Sequence, residues 1–238
     1  MVTTATRTGF LNDYGRVAGT FGLVTAVLVA LSIILTFSSG APPALDEASP
    51  KVMKYFQDNE GLHKITGIVN LLILITAPLW FLGLYSVLRD RATAGAESWP
   101  RVALVTFIVT GAVVAVQGGA ALALTLGAKD EFQGTPAVGG ALFDLYNALA
   151  AAVALTFGLY LIATAISLQQ TGGFPAWWST MLFIGGVASY ISFLAPFTLV
   201  DVFAFIGLIP FIIFGIFAAV SGMAMQQRNT GAPRSPTI

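Results

Sequence analysis

Cysteine is absent from the chain, and histidine occurs once. The first absence excludes disulfides, iron–sulfur clusters and thiolate metal sites. The second excludes a bis-histidine haem within one copy and the His-Glu-x-x-His zinc motif. Charge is scarce as well: Asp, Glu, Lys and Arg make up 9% of the residues, against about 25% in ordinary soluble domains. Eleven basic residues balance eleven acidic ones. No basic excess points to nucleic acid and no acidic excess to disorder. A Gly-rich loop closing on Lys-Ser/Thr, which would cradle nucleotide phosphates, is also missing, so neither nucleotide nor other cofactor is expected.

What fills the sequence is apolar. Of 238 residues, 56% are hydrophobic, and mean hydropathy is +0.84. A soluble fold of this length cannot hide so much apolar surface, because its exterior needs polar cover. A lipid bilayer removes that need. Crossing the hydrocarbon takes roughly 20 apolar residues as a helix. Six segments qualify: 17–37, 65–88, 102–128, 141–168, 177–199 and 202–225. The last two are divided only by Asp201, with Pro196 just before it, and are together too long for one span, which predicts a tight hairpin. The first segment follows Arg7 and Arg16 as a signal peptide would, but its uncharged run exceeds the roughly 7–15 apolar residues of a signal core. The predicted fold is an all-α membrane protein, a single six-helix transmembrane bundle over 1–225 with a disordered cytoplasmic tail at 226–238.

Six spans put both termini on one face, with Arg7, Arg16, Arg89, Arg91, Arg101, Arg228 and Arg234; Lys51, Lys54, Lys64 and Lys129 fall opposite. Asp13, Asp90 and Glu97 share the arginine face, while Asp46, Glu47, Asp58, Glu60, Asp130, Glu131, Asp144 and Asp201 fall opposite. The positive-inside rule then predicts cytoplasmic termini, and the general appearance is that of a small polytopic protein of a bacterial plasma membrane. The outer loop, 38–64, opens with the turn-forming "SSGAPPA". The following "SPKVMKYFQDNEGLHK" reads as a short outer amphipathic helix, with Ser49 as N-cap and Pro50 at the first helical position. Val52, Met53, Phe56 and Leu62 give it an apolar side suited to the outer membrane surface.

Lipid supplies no hydrophobic drive between helices, so small residues must let backbones approach. Candidates are Gly15 and Gly19 on the first span, Gly111, Ala115 and Gly119 on the third, and Gly215, Ala218, Ala219 and Gly222 on the sixth. They predict contacts within the bundle, with a homo-oligomer or partner seam as the other use. Pro78, Pro196 and Pro210 each predict a bend. The motifs "FLGLY" (81–85), "FGLY" (157–160) and "FGIF" (214–217) echo one another. Either repeated hairpins or the ordinary Phe and Gly enrichment of membrane helices explains them.

Polar residues cluster at one depth. Asn70, Gln117, Asp144, Asn147, Ser189, Tyr190, Ser192 and Asp201 all fall in the outer half of their spans. Unpartnered in lipid, such groups cost several kcal/mol each, so they face one another or an outward-facing polar pocket. Interhelical hydrogen bonding is the alternative. Near the same face, Glu60 and His63 have the spacing of a carboxylate–imidazole metal pair, but such sites use a second pair. Asp130, Glu131, Asp144 and Asp201 are the oxygen ligands available to complete one. The alternative is a solvated helix end in which Glu60 pairs with Lys64. A non-metallic His63 would remain a pH-responsive group.

No charged residue sits at the centre of a span, which weighs against proton-coupled transport, and no lysine there offers a retinal linkage. Span serines have no matched base at their depth. Three functional readings remain. The first is a non-catalytic accessory or subunit-type membrane protein with a membrane partner. The second is a binding or transport protein whose outer pocket, including His63, takes a small polar solute or lipid headgroup. The third is a membrane enzyme with an acidic/His site at the outer surface.

Overall fold

The computed structural model describes residues 5–92, 98–128, 135–172, 174–198 and 201–228, with side chains from residue 15 onward except at 201, 203, 204 and 228. Every regular element among them is helical: α1 (Ala5–Ser38), α2 (Ser49–Asp58), α3 (Glu60–Arg91), α4 (Ser98–Gly127), α5 (Pro136–Thr171), α6 (Ala176–Ser192), α7 (Ala195–Thr198), α8 (Asp201–Ile206) and α9 (Leu208–Arg228). Runs that are apolar all round become helices because, away from water, the backbone must satisfy itself. Punctuation follows local chemistry. Pro136 opens α5, and Gly172, at φ 59°, closes it by donating to the Leu168 carbonyl at 3.1 Å, a left-handed cap suited to glycine.

Six helical stretches are long and apolar enough to cross a membrane: Gly15–Ser38, Glu60–Arg91, Ser98–Gly127, Pro136–Thr171, Ala176–Thr198 and Leu208–Gln227. They form a closed ring in the order α1, α3, α4, α5, α6, α9, with α9 returning to α1. Gln226 Nε2 donates to Thr20 Oγ1 at 3.1 Å, so the C-terminal part of α9 and the N-terminal part of α1 share one end of the bundle, here the terminal end. The short helix α2 lies at the other, the α2 end. Among the described residues, Arg16, Arg89, Arg91 and Arg101 belong to the terminal end and Lys51, Lys54 and Lys64 to the α2 end.

Toward the terminal end the ring is filled by aromatics. Phe81 stacks on Phe107 with centroids 4.6 Å apart, and Tyr160 stands 5.1 Å from each. Phe157 and Trp80 meet Phe214 at 5.5 and 5.4 Å. Phe81, Phe157 and Phe214 come from the three echoing motifs, and the glycine of each abuts a neighbouring helix: Gly83 meets Ala18, Gly158 meets Gly186, and Gly215 meets Val29. A ring turned to the centre beside a glycine turned to a seam accounts for the echo.

Several boundaries depart from the sequence reading. The short amphipathic helix expected within 38–64 stops at Asp58, and Asn59 alone separates it from α3, so Glu60, Leu62, His63 and Lys64 belong to the second long helix. Ala48 is the cap residue and Ser49 is already helical. The apolar face of α2 does not lie on a membrane surface: Val52, Met53 and Phe56 are buried against Leu124, Ala128 and Phe143, which bury that area more completely than an interface would. The last span begins at Leu208, leaving 201–206 as the separate α8, and α9 continues through 226–228. Pro210 is therefore the third residue of α9 and Pro196 the second of α7, where a helix needs no amide hydrogen. Of the three prolines only Pro78 interrupts a long helix. Residues 229–238 of the expected tail lie outside the described residues.

Small residues divide by location. A Cβ at Gly19 would stand 2.7 Å from the Gly222 carbonyl oxygen, and one at Gly215 would stand 3.1 Å from Val29 Cγ1. Gly15 and Ala219 are half-buried on the same two helices. At Gly111 and Gly119 an added Cβ would meet nothing within 4 Å, and Ala115 is exposed. The α4 row expected to seat a helix therefore has open space beside both of its glycines.

Candidate functional site

The α2-end half of the ring is packed differently. Where the terminal half carries aromatics, this half presents Gly111, Ala115, Ala150, Ala151 and Ala154, and a cavity of about 800 Å³ remains. All six long helices line it. Phe107, Phe157, Phe211 and Phe214 form its floor, which is also the upper layer of the aromatic core. The cavity exists because the short side chains of the adjacent helices α4 and α5 do not reach across the ring that the aromatics hold open.

Its polar groups form a belt. Ser32 Oγ of α1 donates to Asn70 Oδ1 of α3 at 2.8 Å. Gln117 Nε2 of α4 is 3.4 Å from the Tyr146 carbonyl oxygen of α5, which it reaches as a donor. Asn147, next on α5, lines the cavity, and its Nδ2 is buried without a hydrogen-bond partner. Ser189 Oγ of α6 donates to the Ala154 carbonyl at 2.8 Å, and Ser192 Oγ donates to the Ser189 carbonyl at 2.8 Å. Pro78 cannot supply the amide hydrogen that the Leu74 carbonyl would otherwise accept, and both residues line the cavity. Among the described residues, no Asp, Glu, Lys, Arg or His lines it.

Asn70, Gln117 and Asn147 thus share one wall system, while the other expected pocket residues do not join them. Asp144 is exposed and off the cavity; it stands on the preceding helical turn, and three residues rotate a helix by about 300°, not a full turn. Tyr190 turns to the α5–α6 seam, its Cε1 3.4 Å from where a Gly158 Cβ would be. The Asp201 side chain lies outside the described residues. His63 packs against Phe56 and Tyr55, with ring centroids 4.8 and 5.3 Å away, and its Nε2 is buried without a hydrogen-bond partner. Glu60 is paired with Lys64. No cluster of three His, Cys, Asp or Glu suited to a metal ion occurs among the described residues; Asp130 and Glu131 lie outside them. Ser32 and Tyr146 were missed from sequence. The depth of Ser32, level with Asn70, was the available signal.

Compared with known proteins, the chain matches no family model, no curated protein and no solved structure. Its class is set by its own architecture: a multi-pass helical membrane protein whose bundle is solid in one half and hollow in the other.

Proposed function

We propose that this chain is a binding protein of a bacterial plasma membrane, with both termini in the cytoplasm, and that it holds a small molecule in the interhelical cavity. The observation that carries this reading is the cavity itself. Its volume of about 800 Å³ falls in the roughly 300–1,000 Å³ range of small-molecule sites, and a few amides set in apolar walls match their composition. Natural interiors leave few voids larger than a water molecule, so a hollow of this size favours an occupant. The rings of Phe107, Phe157, Phe211 and Phe214 floor the cavity toward the terminal end, which supports binding over transport. The arginine bias of the terminal end supports the orientation.

A second reading, an accessory subunit, draws on α4. This helix is the least buried of the six, and additional Cβ atoms at Gly118 and Gly119 would meet nothing within 4 Å, so a partner helix has room there.

Native mass spectrometry of the protein in native-lipid nanodiscs separates the two. A single chain carrying a reproducible small-molecule mass, lost on Gly111→Phe, is expected. A stoichiometric protein partner with no such adduct would replace the binding reading by the subunit one.

A further inference from the structure

The geometry points to the chemical class of the ligand: an uncharged amphiphile whose hydroxyl or carbonyl head sits at the Asn70, Gln117 and Asn147 belt and whose apolar tail runs to the aromatic floor. This inference rests on the binding role proposed above.

Charge is the first argument. Ionisable side chains of Asp, Glu, Lys, Arg or His are absent from the described wall, so a carboxylate, phosphate or ammonium would enter without a counter-charge. Burying an unpaired charge is far costlier than burying a neutral polar group. The second argument is hydrogen bonding. The cavity serines donate to Asn70 and to main-chain carbonyls, and so keep acceptor capacity, while Asn147 Nδ2 is a buried donor with no partner. Amides both donate and accept, which matches a hydroxyl, ester or amide head. The third argument is length and polarity. Ten residues separate Gln117 from Phe107 on α4 and Asn147 from Phe157 on α5, a rise of about 15 Å on each helix. Between the two levels the α5 wall is Ala150, Ala151, Val153 and Ala154, a lining for a hydrocarbon chain. A purely polar solute would leave most of that wall facing it unmatched.

The test uses the full chain in phosphatidylcholine nanodiscs, analysed by native mass spectrometry with two added probes of equal chain length, monododecanoyl glycerol and dodecanoate. One glyceride per chain is expected, with dodecanoate binding at least about tenfold more weakly, as burial of its unpaired charge requires. Asn147→Leu removes no partnered amide hydrogen at Nδ2, and, with folding checked by an unchanged thermal unfolding midpoint, it is expected to weaken glyceride binding about tenfold. Gly111→Phe, which fills the cavity, removes both probes. Equal or tighter dodecanoate binding, or glyceride binding indifferent to Asn147→Leu, overturns the ligand class. If Gly111→Phe still abolishes binding in that case, the binding role stands. If neither probe binds while a copurified adduct persists, the class alone is overturned. If neither probe binds and no adduct exists, both readings fall.

Discussion

Trp80 on α3 and Ser221 on α9 are joined through the bundle interior, the indole Nε1 donating to the serine Oγ at 3.0 Å with both side chains fully buried. Ser221 in turn donates to the Phe217 carbonyl at 2.6 Å. The hydroxyl thus links the two helices that flank α1 in the ring, and it lets a fully buried indole sit in an apolar core with its one polar atom satisfied.

Ser221→Ala is expected to cost about 1–2 kcal/mol of stability, because it strands a buried N–H where no water can replace the acceptor. Combining it with Trp80→Phe, which removes the donor, should add less than the sum of the single changes. Thermal unfolding of the four proteins in one detergent measures this, and strict additivity would show that the pair is not coupled.

The α1–α9 seam sets a second expectation. A Cβ at Gly222 would stand 2.7 Å from the Gly19 carbonyl oxygen, and main chain cannot yield as a side chain does. Gly222→Val should lose about 1–3 kcal/mol through forced separation of the helices. Gly119→Ala, where the new methyl meets open space, should fall within about 0.5 kcal/mol of neutral or gain slightly from helix propensity. Equal melting temperatures for the two variants would refute the seam.

Docking of α2 is testable by exchange. Met53 and Phe56 pack on Gly139 and Phe143, and Tyr55 Oη shares a hydrogen bond with Ser39 Oγ at 2.9 Å. Phe56→Ala should remove about 3–5 kcal/mol of local packing and accelerate amide hydrogen exchange across 49–58. Lys54→Ala, on the exposed side, should leave exchange unchanged. Protection that survives Phe56→Ala would return α2 to a membrane surface.

At the start of α2, the hydrogen bond from Lys51 and then that from the Ala48 amide hold the Glu47 carboxyl below its ordinary value of 4.5. Because the folded value is depressed, the contact helps the fold above the ordinary glutamate range and is lost as pH falls through the lowered value. A carboxyl-carbon NMR titration should place Glu47 below 4.5, and Lys51→Met should move it upward. A midpoint unaffected by that change would exclude the pairing.

Much of the architecture is legible in the sequence, and each departure from it has a physical cause. Hydropathy marks the part of a helix that needs lipid, not the part that is helical. Hydropathy thus places the polar stretch from Glu60 to Lys64 in the loop helix, although α3 starts at Glu60. The same blindness joined α8 to α9, because both are apolar. Asn70, Gln117 and Asn147 were legible as members of one layer, since depth follows from position along a span. Asp144 was not separable from Asn147 by that means. Its exposure depends on which face of α5 turns inward, and α5 carries almost no polar asymmetry to reveal it.

Composition alone determined that the chain forms long apolar helices, because no soluble surface can be drawn from so little charge and lipid forbids an unsatisfied backbone. The direction of each helix followed from the number of spans, and the level of the amide belt from distances along them. Only the tertiary structure decided that the belt lines a cavity between the helices, that the glycines of α1 and α9 meet while Gly111, Gly118 and Gly119 of α4 do not, and that α2 buries its apolar face in the bundle. In a helix that is apolar all round, nothing local distinguishes the face turned to lipid from the face turned to protein, so that choice belongs to how the side-chain shapes of six helices fit together.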